Sequence, residues 1–215
     1  MNCPMKLPEI IPLFPLANVV LFPRMALPLH VFEPRYRAMV RDAARGAHLI
    51  GMALLRGERQ QDYEGCPPIF GTGTVGEMIR VAELPDGRFD IVLRGVREYI
   101  VVEERTGQPY REAVVRWREP AAGVVLPGVR QRATDLVRRY LARRGREADP
   151  EALVRGRLDD ETFINFLAQH LDLPPIAKQA LLEAGSLPER ATRLVEVLEF
   201  EELRFGSVGV PERAQ

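Results

Sequence analysis

The feature that most constrains this chain is a change of hydrophobic period near Pro120. Before it, apolar residues come in short runs bounded by Gly, Pro and polar clusters, the pattern of strands and turns. After it they recur every three or four residues, the pattern of amphipathic helices. The first half offers Val19–Phe22, Leu49–Leu55, Val75–Val81, Phe89–Leu93, Tyr99–Val102 and Ala113–Trp117 as strands. Leu84-Pro85-Asp86-Gly87-Arg88 predicts a tight turn with positive φ at the glycine, so the runs on either side should pair as a hairpin. One helix is expected in this half, over Glu33–Ala44, with Pro34 in its first turn and Tyr36, Met39, Val40 and Ala43 on one stripe.

The second half reads as a bundle of about four helices. Val129, Ala133, Leu136, Val137 and Tyr140 mark the first, and Phe163, Phe166, Leu167 and Leu171 the next. Ile176, Ala180 and Leu181 follow. In the last, Ser186-Leu187-Pro188-Glu189 forms a capping box ahead of an apolar face of Leu187, Ala191, Leu194, Val195 and Leu198. The expected organisation is therefore a β-rich domain over 1–120, a helical bundle over 121–206 and a flexible tail over 207–215, with Arg144–Asp160 as a linker between the first two helices.

Composition excludes more than it identifies. Thirty basic residues balance thirty acidic ones, so bulk charge directs the chain neither to nucleic acid nor to a membrane. Two cysteines, Cys3 and Cys66, cannot make a zinc site of the usual four-ligand kind and suit a reducing cytoplasm. Prolines at 8, 12, 15, 23 and 28 interrupt the apolar segment that could otherwise pass for a signal peptide.

Catalytic constellations are equally scarce. Gly71-Thr72-Gly73-Thr74-Val75-Gly76 matches a dinucleotide fingerprint, but a β-patterned run follows it where a phosphate-binding helix would have to start, so close backbone approach or a bulge explains the glycines better. The only lysines, Lys6 and Lys178, lie in no phosphate-binding loop. Ser186 has a capping role and Ser207 sits in the tail, which leaves no convincing Ser-Lys peptidase dyad. His30 with Glu33 is a conceivable acid–base pair, with a hydrogen-bonded structural histidine as the alternative. No cofactor or metal is expected.

Several stretches resemble the N-terminal domain of Lon proteases: Ile11-Pro12-Leu13-Phe14-Pro15 through Phe22-Pro23, Leu27-Pro28-Leu29-His30-Val31-Phe32-Glu33-Pro34-Arg35-Tyr36, Gly71–Ile79 with Leu84–Arg88 and Leu93-Arg94-Gly95-Val96-Arg97, and finally Lys178–Glu183 with Glu189–Leu194. The resemblance spans most of Leu7–Leu203. It implies an α+β fold, a PUA-like β pseudo-barrel opened by a proline-punctuated strand and followed by a C-terminal helical bundle. It also implies a non-catalytic module that binds unfolded or tagged polypeptides, with a protease subunit as a further candidate partner. Candidate polypeptide-binding residues are Phe14, Phe32, Tyr36, Tyr63 and Phe70, with core packing as the alternative for Phe14, Phe32 and Tyr36. The alternative function is RNA binding through the basic helix that carries Arg138, Arg139, Arg143, Arg144 and Arg146.

Overall fold

The computed structural model describes residues 7–57, 67–145 and 158–207. Its strands are β1 (Ile10–Leu16), β2 (Ala26–Val31), β3 (Leu49–Leu54), β4 (Thr72–Glu83), β5 (Phe89–Arg105) and β6 (Arg111–Trp117). Helix α1 (Pro34–Arg45) lies between β2 and β3. After β6 come α2 (Pro127–Arg143), α3 (Asp160–His170), α4 (Pro175–Leu182) and α5 (Leu187–Ser207). This is the α+β arrangement expected, and four described helices follow the sheet.

Sheet order is β2-β5-β4-β3-β1-β6, and β5 is long enough to pair a second time, with β6. That extra pairing closes a hydrogen-bonded circuit of β1, β3, β4, β5 and β6 and leaves β2 outside it, so the sheet is not a simple barrel. Two runs read as separate strands, Phe89–Leu93 and Tyr99–Val102, are both parts of β5. Val19–Phe22 is not a strand: Val20, Leu21 and Phe22 are buried, and the Phe22 N–H goes to Gln169 Oε1 on α3 (3.0 Å) instead of to a ladder. The strands at this end are β1 and β2, which carry Pro12, Pro15 and Pro28. β2 is the sheet's edge, where a missing donor is tolerated.

Alternation along the circuit sorts its side chains into two cores. Ile11, Leu13, Leu49, Ala53, Val75, Tyr99, Ala113 and Val115 form one cluster, contributed by all five strands of the circuit. Tyr99 is fully buried there and donates its hydroxyl to the Met52 carbonyl at 2.8 Å. It fits because of Gly73, where a Cβ would lie 2.3 Å from the Met52 oxygen and 2.5 Å from the Tyr99 hydroxyl. The glycine-rich run is thus a strand built for close approach, with a register shift between Val75 and Gly76. The second cluster joins Phe14, Phe22, Tyr36, Met39, Ile50, Met52 and Leu93 to Leu136, Phe163, Leu167, Leu181, Leu194 and Leu198, so one apolar layer runs from the sheet into the helices.

A polar core locks that layer. The Arg190 side chain, on α5, has no exposure and donates to Glu98 of β5, to Asn165 Oδ1 of α3 (2.7 Å) and to the Leu181 carbonyl (3.0 Å). Asn165 in turn donates to the Pro23 carbonyl (3.2 Å), and Arg118 reaches Glu98 (2.8 Å) and the carbonyls of Leu182 and Ala184 that end α4. A guanidinium's rigid fork of donors suits a site where several acceptors converge out of water.

Turn chemistry follows the sequence closely. Gly87 has φ +78° and its N–H meets the Leu84 carbonyl at 2.8 Å, as the Pro-Asp-Gly run requires. At α5 the Glu189 N–H meets Ser186 Oγ (3.3 Å), while the Glu189 carboxylate accepts from Gly185 N–H (2.8 Å), one residue earlier than the usual capping box.

Candidate binding trough at one pole of the sheet

The ends of β1 and β3, the β5–β6 hairpin tip and the start of α1 meet at one pole of the sheet. Two clefts open there, of about 200 and 210 Å³, and share Arg35, Tyr36 and Arg111 as common walls. The first adds Pro15, Leu16, Ala17, Glu33, Leu55 and Pro67; the second adds Glu104, Arg105, Thr106, Gln108, Pro109 and Tyr110. Prolines, aliphatic side chains and two phenols line about half of this trough, and arginines, glutamates, Thr106 and Gln108 line the rest.

Tyr36 is the centre of it. Its ring is sandwiched between the buried Phe14 ring, 4.4 Å away between centroids, and the Arg35 guanidinium, 4.5 Å above the centroid. Burial raises the Tyr36 phenol above its ordinary pKa, against the opposing pull of Arg35, so it stays a neutral hydrogen-bonding group across the physiological range. Arg35 is held by Glu33 (2.9 Å). Arg111, mostly buried, donates to the Pro67 carbonyl (2.7 Å) and to Glu104 (3.3 Å). Tyr110 donates to Asp42 (3.0 Å), and burial together with that bond pushes its phenol up to about 12.

The aromatic residues singled out from sequence separate here. Tyr36 lines both clefts, and Phe14 lies buried behind it. Phe70 is partly buried on the main core, with the Arg56 guanidinium 4.8 Å from its ring centroid. Phe32 is 60% exposed and stacks loosely on His30. Tyr63 falls outside the described residues. Arg35, Arg105 and Arg111, which make the trough cationic at its rim, carried no sequence signal, because each is an ordinary charge at the end of an element.

Sequence candidates for chemistry find structural partners. His30 does not pair with Glu33; its Nδ1 is 2.7 Å from Asp90 across the β2–β5 register, and Arg88 lies 3.2 Å from Nε2. An imidazole donating from Nδ1 and accepting at Nε2 satisfies both contacts. His170 bonds the Phe166 carbonyl at the end of α3 (3.0 Å). On the basic helix, Arg139 is clamped by Glu202, Arg132 by Glu199, Arg138 by Asp135 and Arg144 by Asp172, while Arg143 donates to the Glu202 carbonyl. Arg146 lies outside the described residues.

A larger cleft of about 430 Å³ lies between α2, the α3–α4 loop and α5, lined by Arg144, Asp172, Leu173, Pro174, Pro175, Glu201 and Arg204. Among the described residues no cluster of His, Cys, Asp or Glu could hold a metal ion, and no helix is long and apolar enough to cross a membrane.

Comparison with known proteins places this architecture. The family model of the ATP-dependent protease La (LON) substrate-binding domain matches residues 10–199. A Lon protease of Roseiflexus castenholzii is 30% identical over 208 residues, covering 92% of this chain and 25% of that protein. One from Cytophaga hutchinsonii is 26% identical, covering 90% and 24%. The chain spans about a quarter of the length of these curated relatives. Among solved structures, a Lon N-terminal domain protein from Xanthomonas campestris superposes with TM-score 0.64 at 26% identity, covering 87% of this chain and 97% of that one. The N-terminal domain of a Mycobacterium avium complex Lon protease gives 0.66 at 19% identity, covering 89% and 98%, and speaks for the fold alone.

Proposed function

This chain belongs to the LON substrate-binding domain family, and from that premise we propose that it is a non-catalytic module that binds polypeptides, chiefly exposed apolar segments of unfolded or tagged proteins. The family match over residues 10–199 is the observation that carries the reading. The trough supports it, because a concavity that combines prolines and aliphatic side chains with fixed polar groups suits an extended peptide. The closed strand circuit with β2 outside it accords with a PUA-like pseudo-barrel, and the four following helices with a C-terminal bundle. A protease subunit as the downstream partner, and a cytoplasmic location, belong to the same proposal.

Two local features favour binding over catalysis. His30 is engaged on both ring nitrogens, and Ser186 caps α5, so neither is poised as base or nucleophile. RNA binding is the weaker reading, since Arg132 and Arg139 of α2 are paired with carboxylates of α5, Arg138 with Asp135 and Arg144 with Asp172.

The test is titration of the protein with a reduced, carboxymethylated polypeptide, with its native form and with single-stranded RNA, at low and high salt. The expected result is binding of the unfolded chain that persists in high salt. Affinity for RNA alone, falling steeply with salt, would overturn the proposal.

A further inference from the structure

Of the charged side chains lining the two polar clefts, three are arginines and two are glutamates. Glu33 neutralises Arg35 and Glu104 neutralises Arg111, while Arg105 has no carboxylate within ion-pair distance among the described residues. Glu112 stands opposite Arg105 in the β5–β6 register without forming an ion pair. At the start of α1 the one acid is the N-cap Glu33, which is already engaged with Arg35, and Arg35 and Tyr36 occupy the first turn. Amide N–H groups at a helix start and the positive end of its dipole favour an anion there. Tyr36 brings a neutral phenol to the same place.

Resting on the polypeptide-binding reading above, we infer that this trough takes an extended segment bearing a carboxylate, with its apolar residues against Pro15, Leu16 and Pro109 and its acid between Arg35 and Arg105. Arg35 spends Nε and Nη2 on Glu33 and keeps Nη1 for a second acceptor. Arg111 is already committed on both terminal nitrogens and serves as a fixed wall. The recognised group is a carboxylate, whether an acidic side chain or a chain's own C-terminus. An unfolded segment that is apolar only would fill the trough without using its charge.

The test uses three fluorescein-labelled peptides on one apolar, proline-containing sequence: one with two aspartates and an amidated end, one with asparagines there and an amidated end, and one with asparagines and a free C-terminus. Anisotropy is read for the wild-type chain and for the doubly substituted Arg35→Gln/Arg105→Gln, whose changes lie on exposed side chains. The expected result is about tenfold tighter binding of at least one carboxylate peptide than of the neutral one, lost in the double variant and partly restored by Arg35→Lys/Arg105→Lys. The aspartate and free-end peptides tell the two carboxylate sources apart. Equal binding of all three, or a carboxylate preference that survives the double substitution, overturns this assignment and leaves polypeptide binding standing. Failure to bind any peptide or any unfolded protein overturns both.

Discussion

Arg190 on α5 and Glu98 on β5 form a buried ion pair across 92 positions of sequence, and every other hydrogen-bond partner of the Arg190 guanidinium is a backbone carbonyl or an asparagine from the helical half. Without Arg190, Glu98 keeps Arg118 (2.8 Å), whereas without Glu98 the Arg190 charge has no carboxylate; losing one member of a buried pair costs about 3–5 kcal/mol, with the Arg190 loss at the lower end. Arg190→Met and Glu98→Gln are each expected to lower stability by that order in urea unfolding monitored by circular dichroism. A shift below about 1 kcal/mol would mean that water reaches the pair.

Gly73→Ala is expected to destabilise by about 1–3 kcal/mol through overpacking, because the added carbon meets both the Met52 carbonyl and the Tyr99 ring. Tyr99→Phe removes only one bond and leaves the Met52 oxygen in want of a donor, so its cost is about 1 kcal/mol. Thermal denaturation of the two variants would rank them; the reverse order would show that the strand can move aside.

Asp159 caps α3 by accepting from the Thr162 N–H (2.9 Å) and also meets Arg24 (2.7 Å). The backbone bond from Thr162 is the main cause holding its carboxyl below the ordinary value, and Arg24 assists. A folded-state pKa below the unfolded one means stability that is full above the unfolded value and is lost as pH falls through the folded value. Asp159→Ala should therefore cost about 1 kcal/mol at neutral pH, and its gap from wild type should close below pH about 4. Denaturant midpoints measured across pH 2–7 check this.

Tyr110 has the opposite sign. Its phenol is pushed up to about 12 by burial and by the bond to Asp42, so its contribution is full below the unfolded value near 10 and is lost as pH rises through about 12. Absorbance at a tyrosinate wavelength should show late ionisation that Tyr110→Phe partly removes. Loss of no late component in that variant would place the slow phenols elsewhere, with Tyr99 and Tyr36, both raised by burial, as the residues left to carry it.

Much of the frame was legible in the sequence, because local signals there agree with tertiary structure. The Pro-Asp-Gly turn, the α1 stripe and the Ser186 cap of α5 each rest on neighbours in the chain and are found as read, except that the Glu189 carboxylate takes the Gly185 N–H in place of that of Ser186. β1 and β2 escaped residue patterning, since prolines at 12, 15 and 28 argue against strands unless their place in the sheet is known, and only the family resemblance pointed to the first. Val19–Phe22 misled for the complementary reason: its composition is that of a strand, but its backbone is used by Gln169 from the far end of the chain. Arg190 could not be recognised either. An arginine next to the apolar positions of an amphipathic helix reads as solvated until Glu98 is brought against it.

The trough was legible only in part. Tyr36 could be named because aromatic residues stand out, but the arginines around it come from α1, β5 and β6 and gain meaning only when those elements meet. The basic helix shows the same limit from the other side. Arg139 reads as part of a solvated face because Glu202, which holds it, lies more than sixty residues further on.

The Arg190 network also has a consequence for synthesis. Every described strand precedes residue 120, so a ribosome delivers the described sheet while the helix that buries Glu98 is still unmade. Until that helix emerges, the sheet's helix-facing surface, from Phe22 to Leu93, remains open and Glu98 has only Arg118 to answer it. The β half of this protein can thus form early on the ribosome but closes only when α5, from Leu187 on, has been delivered, and the interval between the two is when a chaperone would find it.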